Sequence, residues 1–101
     1  MINLTAKGKY LVRKLKKELE SNGYICFVPP ETKWHKGILG FDGIYFREDG
    51  VAFFESTVKS QRAARLKRIF NNPFYQRFKD VFRFELWLFN PKTKKFIIEK
   101  L

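Results

Sequence analysis

The chain has 101 residues, 45% of them apolar, and 21 basic against 10 acidic side chains, a net charge of +11. That length fits one compact domain, and the apolar share excludes a chain too polar to fold. The charge points to a polyanionic partner, nucleic acid first, and no apolar run approaches the ~18 residues that a transmembrane helix needs.

The opening stretch, MINLTAKGKY, lacks the apolar core of a signal peptide, and the single Cys26 cannot close an internal disulfide. The expected compartment is therefore reducing and intracellular, the cytoplasm. No amphipathic helix with exposed large apolar side chains stands out, so a membrane surface ranks below nucleic acid as the polyanion. Twelve phenylalanines are many for so small an interior. Some are expected to reach a partner surface, most simply that of a second copy in a homodimer.

Residues 4–22 form the first predicted helix. Leu4, Leu11, Val12, Leu15 and Leu19 recur at helical spacing, Asn3 or Thr5 can cap the start, and Asn22-Gly23 suits a left-handed end. Its lysines make either a solvated face or phosphate contacts. Residues 24–28 are a short apolar strand, with Cys26 as a small buried hydrophobe, and Pro29-Pro30 stops it. The loop over 31–39, ETKWHKGIL, sets Lys33, Trp34, His35 and Lys36 just ahead of Asp42. A basic, aromatic loop there can bind a phosphate and stack on a base, and His35 can shuttle a proton. The alternative is a solvated loop around a half-buried Trp34. One histidine and one cysteine are too few for a zinc site.

Residues 40–60, GFDGIYFREDGVAFFESTVKS, read as a hairpin turning at Arg47-Glu48-Asp49-Gly50. Alternation puts Val51, Phe53, Glu55, Thr57 and Lys59 on one face of the second strand and Ala52, Phe54, Ser56 and Val58 on the other. Counting back from the turn sets Asp42 opposite Glu55, and two carboxylates so placed make a candidate divalent-metal site. Lys59 shares the face of Glu55 but lies about 13 Å of strand rise away, a gap that a bulge after Thr57 would shorten. An acid inside an apolar strand is costly unless paired or metal-bound. The plain alternative for Asp42 is a strand-end residue satisfied by backbone donors; for Glu55 it is an ion pair.

Ser60 is the expected N-cap of a helix over 61–70, with Ala64, Leu66, Ile69 and Phe70 facing inward. Arg62, Arg65, Lys67 and Arg68 give it a positive flank for nucleic acid, beside Lys59. Pro73 breaks the pattern, and residues 74–81 resume it as a helix or form an aromatic surface for a dimer partner. Residues 82–90, FRFELWLFN, have an apolar centre on both faces, as an interior strand does. Asn90 to Thr93 is a turn. The last strand, 94–101, is placed at an edge, where its lysines guard against edge-to-edge pairing. The expected fold class is α/β, a central mixed sheet of about five strands flanked by helices in the order α-β-β-β-α-β-β.

An Asp on one strand, a hairpin, then an acid on the next with a lysine close behind resembles the PD-(D/E)XK nuclease superfamily, and within it the small archaeal Holliday-junction resolvases. The likeness spans most of the chain. It implies a restriction-endonuclease-like core and a metal-dependent endodeoxyribonuclease acting on branched or junction DNA, with DNA ahead of RNA as partner. It also implies that Asp42 and Glu55 hold Mg2+ (or Mn2+) with a backbone carbonyl near Ser56, while a lysine orients the attacking water and shields the phosphate. The family carries that lysine two residues after the second acid. Here Thr57 stands there, able only to hydrogen-bond a metal-bound water, and Lys59 or Lys36 would have to serve. Phe41 replaces the proline before the first Asp, and Val12 replaces a glutamate of the first helix. Two other functions stay open: a non-catalytic nucleic-acid-binding protein on the same fold, and a structural or protein-interaction module.

Overall fold

Leu11, Leu15 and Leu19, four residues apart, are all buried along one stripe of the first helix. That helix, α1 (Leu4–Ser21), lays the stripe on the sheet. The computed structural model describes residues 4–29 and 37–101. After α1 come β1 (Ile25–Phe27), β2 (Gly43–Arg47), β3 (Gly50–Val58) and a 3-10 turn at Lys59–Gln61. Then follow α2 (Arg62–Phe70), α3 (Pro73–Phe78), β4 (Arg83–Asn90) and β5 (Lys95–Lys100). The α1 helix ends on Gly23 at φ 87°, with Gly23 N–H donating to Glu20 O and Tyr24 N–H to Leu19 O, which satisfies two otherwise orphaned carbonyls.

The five strands lie in sequence order in one sheet. All neighbours are antiparallel except β3 and β4, which are parallel. A parallel pair needs a long crossover, and α2 with α3 supplies it. The fold is therefore α/β, a mixed sheet flanked by helices. On one face α1 packs Leu15 and Leu19 against Tyr45, Ala52, Phe54 and Trp87. On the other, Ile69 of α2 and Tyr75 of α3 pack against Phe53, Phe84, Leu86 and Leu88. Each such side chain fully buried contributes about 1.5–3 kcal/mol.

The helix α2 is rotated from its expected setting. Leu66 and Ile69 face the sheet, whereas Ala64 and Phe70 are exposed, Phe70 lying against the ring of Tyr75. Ser60 lies within the 3-10 turn, and Gln61 at the start of α2 makes no side-chain cap. Asn72 caps α3 instead, its Oδ1 accepting from Phe74 N–H at 2.9 Å with Pro73 in the first turn, so that helix begins just before the expected residue 74. Most of the phenylalanines fill the core; Phe27, Phe46 and Phe70 remain exposed.

Candidate functional site

The site starts from a tight turn at Leu39-Gly40, where the expected loop over 31–39 meets the expected hairpin. Ile38 and Phe41 exchange both backbone hydrogen bonds, at 2.7 and 2.9 Å, around Leu39 and Gly40. Both central residues have positive φ, 53° and 91°, the backbone twist that suits a two-residue hairpin. A Cβ on Gly40 would lie 2.5 Å from the Asn72 amide, and that amide donates to Leu39 O at 2.9 Å. Asn72 thus ties this turn to the start of α3. The turn delivers Asp42 to the head of β2, which begins only at Gly43. A Cβ at Gly43 would strike Phe54 and the Phe27 carbonyl, so only glycine lets three strands close there.

The hairpin register runs from Arg47 with Gly50 to Gly43 with Phe54 and stops there, so the expected facing of Asp42 and Glu55 lies one step beyond the paired residues. The turn itself centres on Glu48 and Asp49, both at negative φ, and Gly50 takes the positive φ of 134°. Asp42 N–H donates to Phe54 O at 3.0 Å. Its Oδ2 accepts from Ser56 N–H at 2.8 Å and from Ser56 Oγ at 3.2 Å. The carboxylate therefore stands in for the carbonyl that the next residue of a longer strand would offer. Burial pushes its pKa up from the ordinary value, opposed by the Ser56 amide and by the charges of Arg65 and Arg68.

Glu55 projects from the other side of β3, toward α2, and is 1% exposed. Its Oε1 receives Arg65 Nη1 at 3.1 Å and also the Arg68 guanidinium. Arg65 and Arg68 stand one helical turn apart, so α2 points both at one oxygen. Its Oε2 is buried without a hydrogen-bond partner among the described residues. The same two arginines bias both carboxylates, so Asp42, Glu55, Arg65 and Arg68 form one electrostatic cluster.

Other expected site residues are dispersed. Thr57 is buried, one step of alternation beyond Glu55. Lys59 is exposed in the 3-10 turn, past the end of the strand. Pairing of β3 with β4 runs unbroken from Ala52 to Val58, so no bulge draws Lys59 toward Glu55. Arg62 pairs with Glu99 of β5 at 2.7 Å. Lys33 and Lys36, with Trp34 and His35, lie outside the described residues.

The sequence reading missed a second buried acid. Glu85 of β4 faces α1, where its Oε1 accepts from Tyr45 Oη at 2.6 Å and Trp87 Nε1 at 3.0 Å and its Oε2 meets the Arg83 guanidinium. The signal was present: an acid in mid-strand among apolar neighbours, the same signal that singled out Glu55.

A divalent ion fits this cluster only in part. Carboxylate oxygens are the donors magnesium prefers, and the orphaned Oε2 of Glu55 is one. Against that, two guanidiniums already balance Glu55, and among the described residues no three His, Cys, Asp or Glu gather as metal ligands. No family model, no curated protein and no solved structure matches this chain. Among the described residues no helix is long and apolar enough to cross a membrane.

Proposed function

We propose that this chain is a nucleic-acid-binding protein, with DNA ahead of RNA, built on a nuclease-like α/β sheet and binding without need of a metal. The observation that carries this reading is the pair of arginines on Glu55. They supply the positive charge that a divalent ion would otherwise bring, and Arg68 stays 56% exposed, open to a phosphate oxygen. Lys59 and Lys67 extend the exposed cationic surface around α2, and the net charge of +11 acts in the same direction. Thr57, where the resembled family keeps its lysine, is consistent with binding uncoupled from hydrolysis.

The unpaired Oε2 of Glu55 favours a second reading, a metal-dependent endonuclease acting on branched or junction DNA. Asp42 and Glu55 would then hold Mg2+ or Mn2+, which when bound supplies an activated water and charge for the phosphate. The chain's own part would be to free Glu55 from Arg68, whose guanidinium could then take a phosphate oxygen. In either reading the partners are DNA and a second copy of the chain.

One experiment separates these readings. Labelled linear, flapped and four-way DNA are titrated over a salt series, then incubated with magnesium, manganese or chelator, beside Glu55→Gln. Binding that survives chelation, falls with salt at a log–log slope of about −4 to −5, and leaves every DNA intact supports the first reading; that slope corresponds to about five phosphate contacts. Metal-dependent cleavage lost in Glu55→Gln replaces it with the second. Absence of salt-sensitive binding sinks both.

A further inference from the structure

The outer edge of β5 carries two exposed isoleucines on opposite faces, Ile97 at 62% and Ile98 at 47%. Such an edge invites another strand unless something blocks it. Its lysines suggest blocking, as the sequence reading held, but the backbone and the charge order argue otherwise.

Leu101 N–H donates to Phe84 O at 2.8 Å, which marks the odd-numbered residues of this strand as those that exchange hydrogen bonds with β4. The N–H and C=O groups of Phe96, Ile98 and Lys100 then point outward along the free edge. We infer that two copies of this chain pair antiparallel through β5, with Ile97 of each copy opposite Ile97 of the other, making one continuous sheet across a two-fold axis. In that register Phe96 and Ile98 of one copy exchange hydrogen bonds with Ile98 and Phe96 of the second. On one face Lys95 meets the second copy's Glu99, which also holds Arg62 of its own chain, and the symmetry repeats that arrangement. On the other face Phe96 meets Ile98 and covers the exposed isoleucine.

Shifting the axis by one residue sets Ile97 against Glu99 and Phe96 against Lys100, so charge order selects the first register. Lys94 against Lys100 at the ends is the one repulsive pair, at the solvated rim. The opposite edge of the sheet, β1, is only three residues long and offers a weaker seam. The pairing stands apart from the nucleic-acid reading, because no residue of the Glu55 cluster takes part in it.

The test is sedimentation of the full chain without nucleic acid, over a concentration series at about 0.15 M salt, where the repulsion between two cationic copies is screened beyond roughly 8 Å. The expected result is a reversible dimer. Ile98→Pro deletes an outward N–H at an edge-strand position that tolerates proline, at some cost in φ and side-chain contact, so the monomer should still unfold cooperatively while the dimer weakens by about tenfold or more. Lys95→Glu sets an acid against the second copy's Glu99 while leaving the Arg62 pair with Glu99 in place, and should weaken the dimer by about tenfold, whereas Lys92→Glu, off the seam, should leave it unchanged. A monomer at every concentration up to about 1 mM, a dimer indifferent to Ile98→Pro, or equal effects of Lys95→Glu and Lys92→Glu would overturn the inference.

Discussion

Glu55 and Glu85 sit on opposite faces of the same sheet, each 1% exposed, and they are satisfied unequally. Glu85 has partners on both oxygens: Tyr45 and Trp87 on one and Arg83 on the other. Glu55 crowds Arg65 and Arg68 onto one oxygen and leaves the other without a partner among the described residues. A complete network of this kind orders a core, whereas an incomplete one leaves a buried polar atom whose desolvation is not repaid.

Removing both arginines strands a buried charge. Arg65→Ala with Arg68→Ala should destabilise the chain by about 2–3 kcal/mol, at the low end for a buried pair because the arginines are part exposed. Glu55→Met removes the charge as well as the pairs and should be neutral or stabilising by about 1 kcal/mol. Urea unfolding of the variants checks both signs. A large loss in Glu55→Met would mean that the acid holds the fold together.

Glu85 should behave in the opposite way. Glu85→Gln sets an amide donor or a neutral oxygen against the Arg83 guanidinium and should cost about 2–4 kcal/mol. Tyr45→Phe removes one donor of three and should cost about 1 kcal/mol. The Tyr45 hydroxyl, pushed up to about 12 by burial and by its bond to Glu85, should titrate later than exposed tyrosines in an ultraviolet pH scan.

Asp42 should oppose folding at neutral pH. Its carboxyl is held above the ordinary 3.8 by burial, so the folded chain keeps that proton more tightly than the unfolded chain does. The group's contribution is fully present below the unfolded pKa and is lost as pH rises through the folded one. Asp42→Asn keeps an oxygen for the Ser56 amide and removes the charge. In urea unfolding from about pH 3.5 to 7, wild type should lose ground to Asp42→Asn as pH rises above 3.8, and the variant should be at least as stable at neutrality. A variant weaker by more than about 1 kcal/mol at pH 7 would show that the ionised form is the favoured one.

Asn72 should count for more than a surface amide. It caps α3 and holds the Leu39 carbonyl, so Asn72→Ala removes two bonds and should cost about 1.5–3 kcal/mol. Asn72→Asp keeps the cap and loses only the donor, so it should recover part of that loss in thermal melts.

Much of this was legible in the sequence. The pairing of β2 with β3 follows from the turn before Gly50, and Glu55 among apolar neighbours marks itself. The α/β class follows from the switch between helical and alternating periods. The setting of α2 was not legible. Phe70 looks like core but lies at the helix end, while Arg65 and Arg68 look like surface but are drawn to an acid from another element. The late start of β2 was hidden because its turn uses a leucine at positive φ, which composition does not announce. The family resemblance implied only a backbone carbonyl near Ser56; what meets Asp42 is mainly the Ser56 backbone N–H, a group that every residue but proline has. Of the two settings the sequence offers for residues 74–81, the helix holds, and Phe74 packs on Phe53 and Phe84 in the core.

The parallel pairing of β3 with β4 sets an order of assembly. The β2–β3 hairpin can form from local contacts alone. Arg65 and Arg68 reach Glu55 once the chain after β3 has coiled into α2 and settled on the sheet, a contact as local as the hairpin, since Arg65 lies 10 residues from Glu55. The pairing of Phe54 with Glu85 closes a far longer loop and is the later step. The meeting of those arginines with Glu55 thus precedes the finished sheet: a reporter on Arg68 would respond when α2 docks, before β4 is in place.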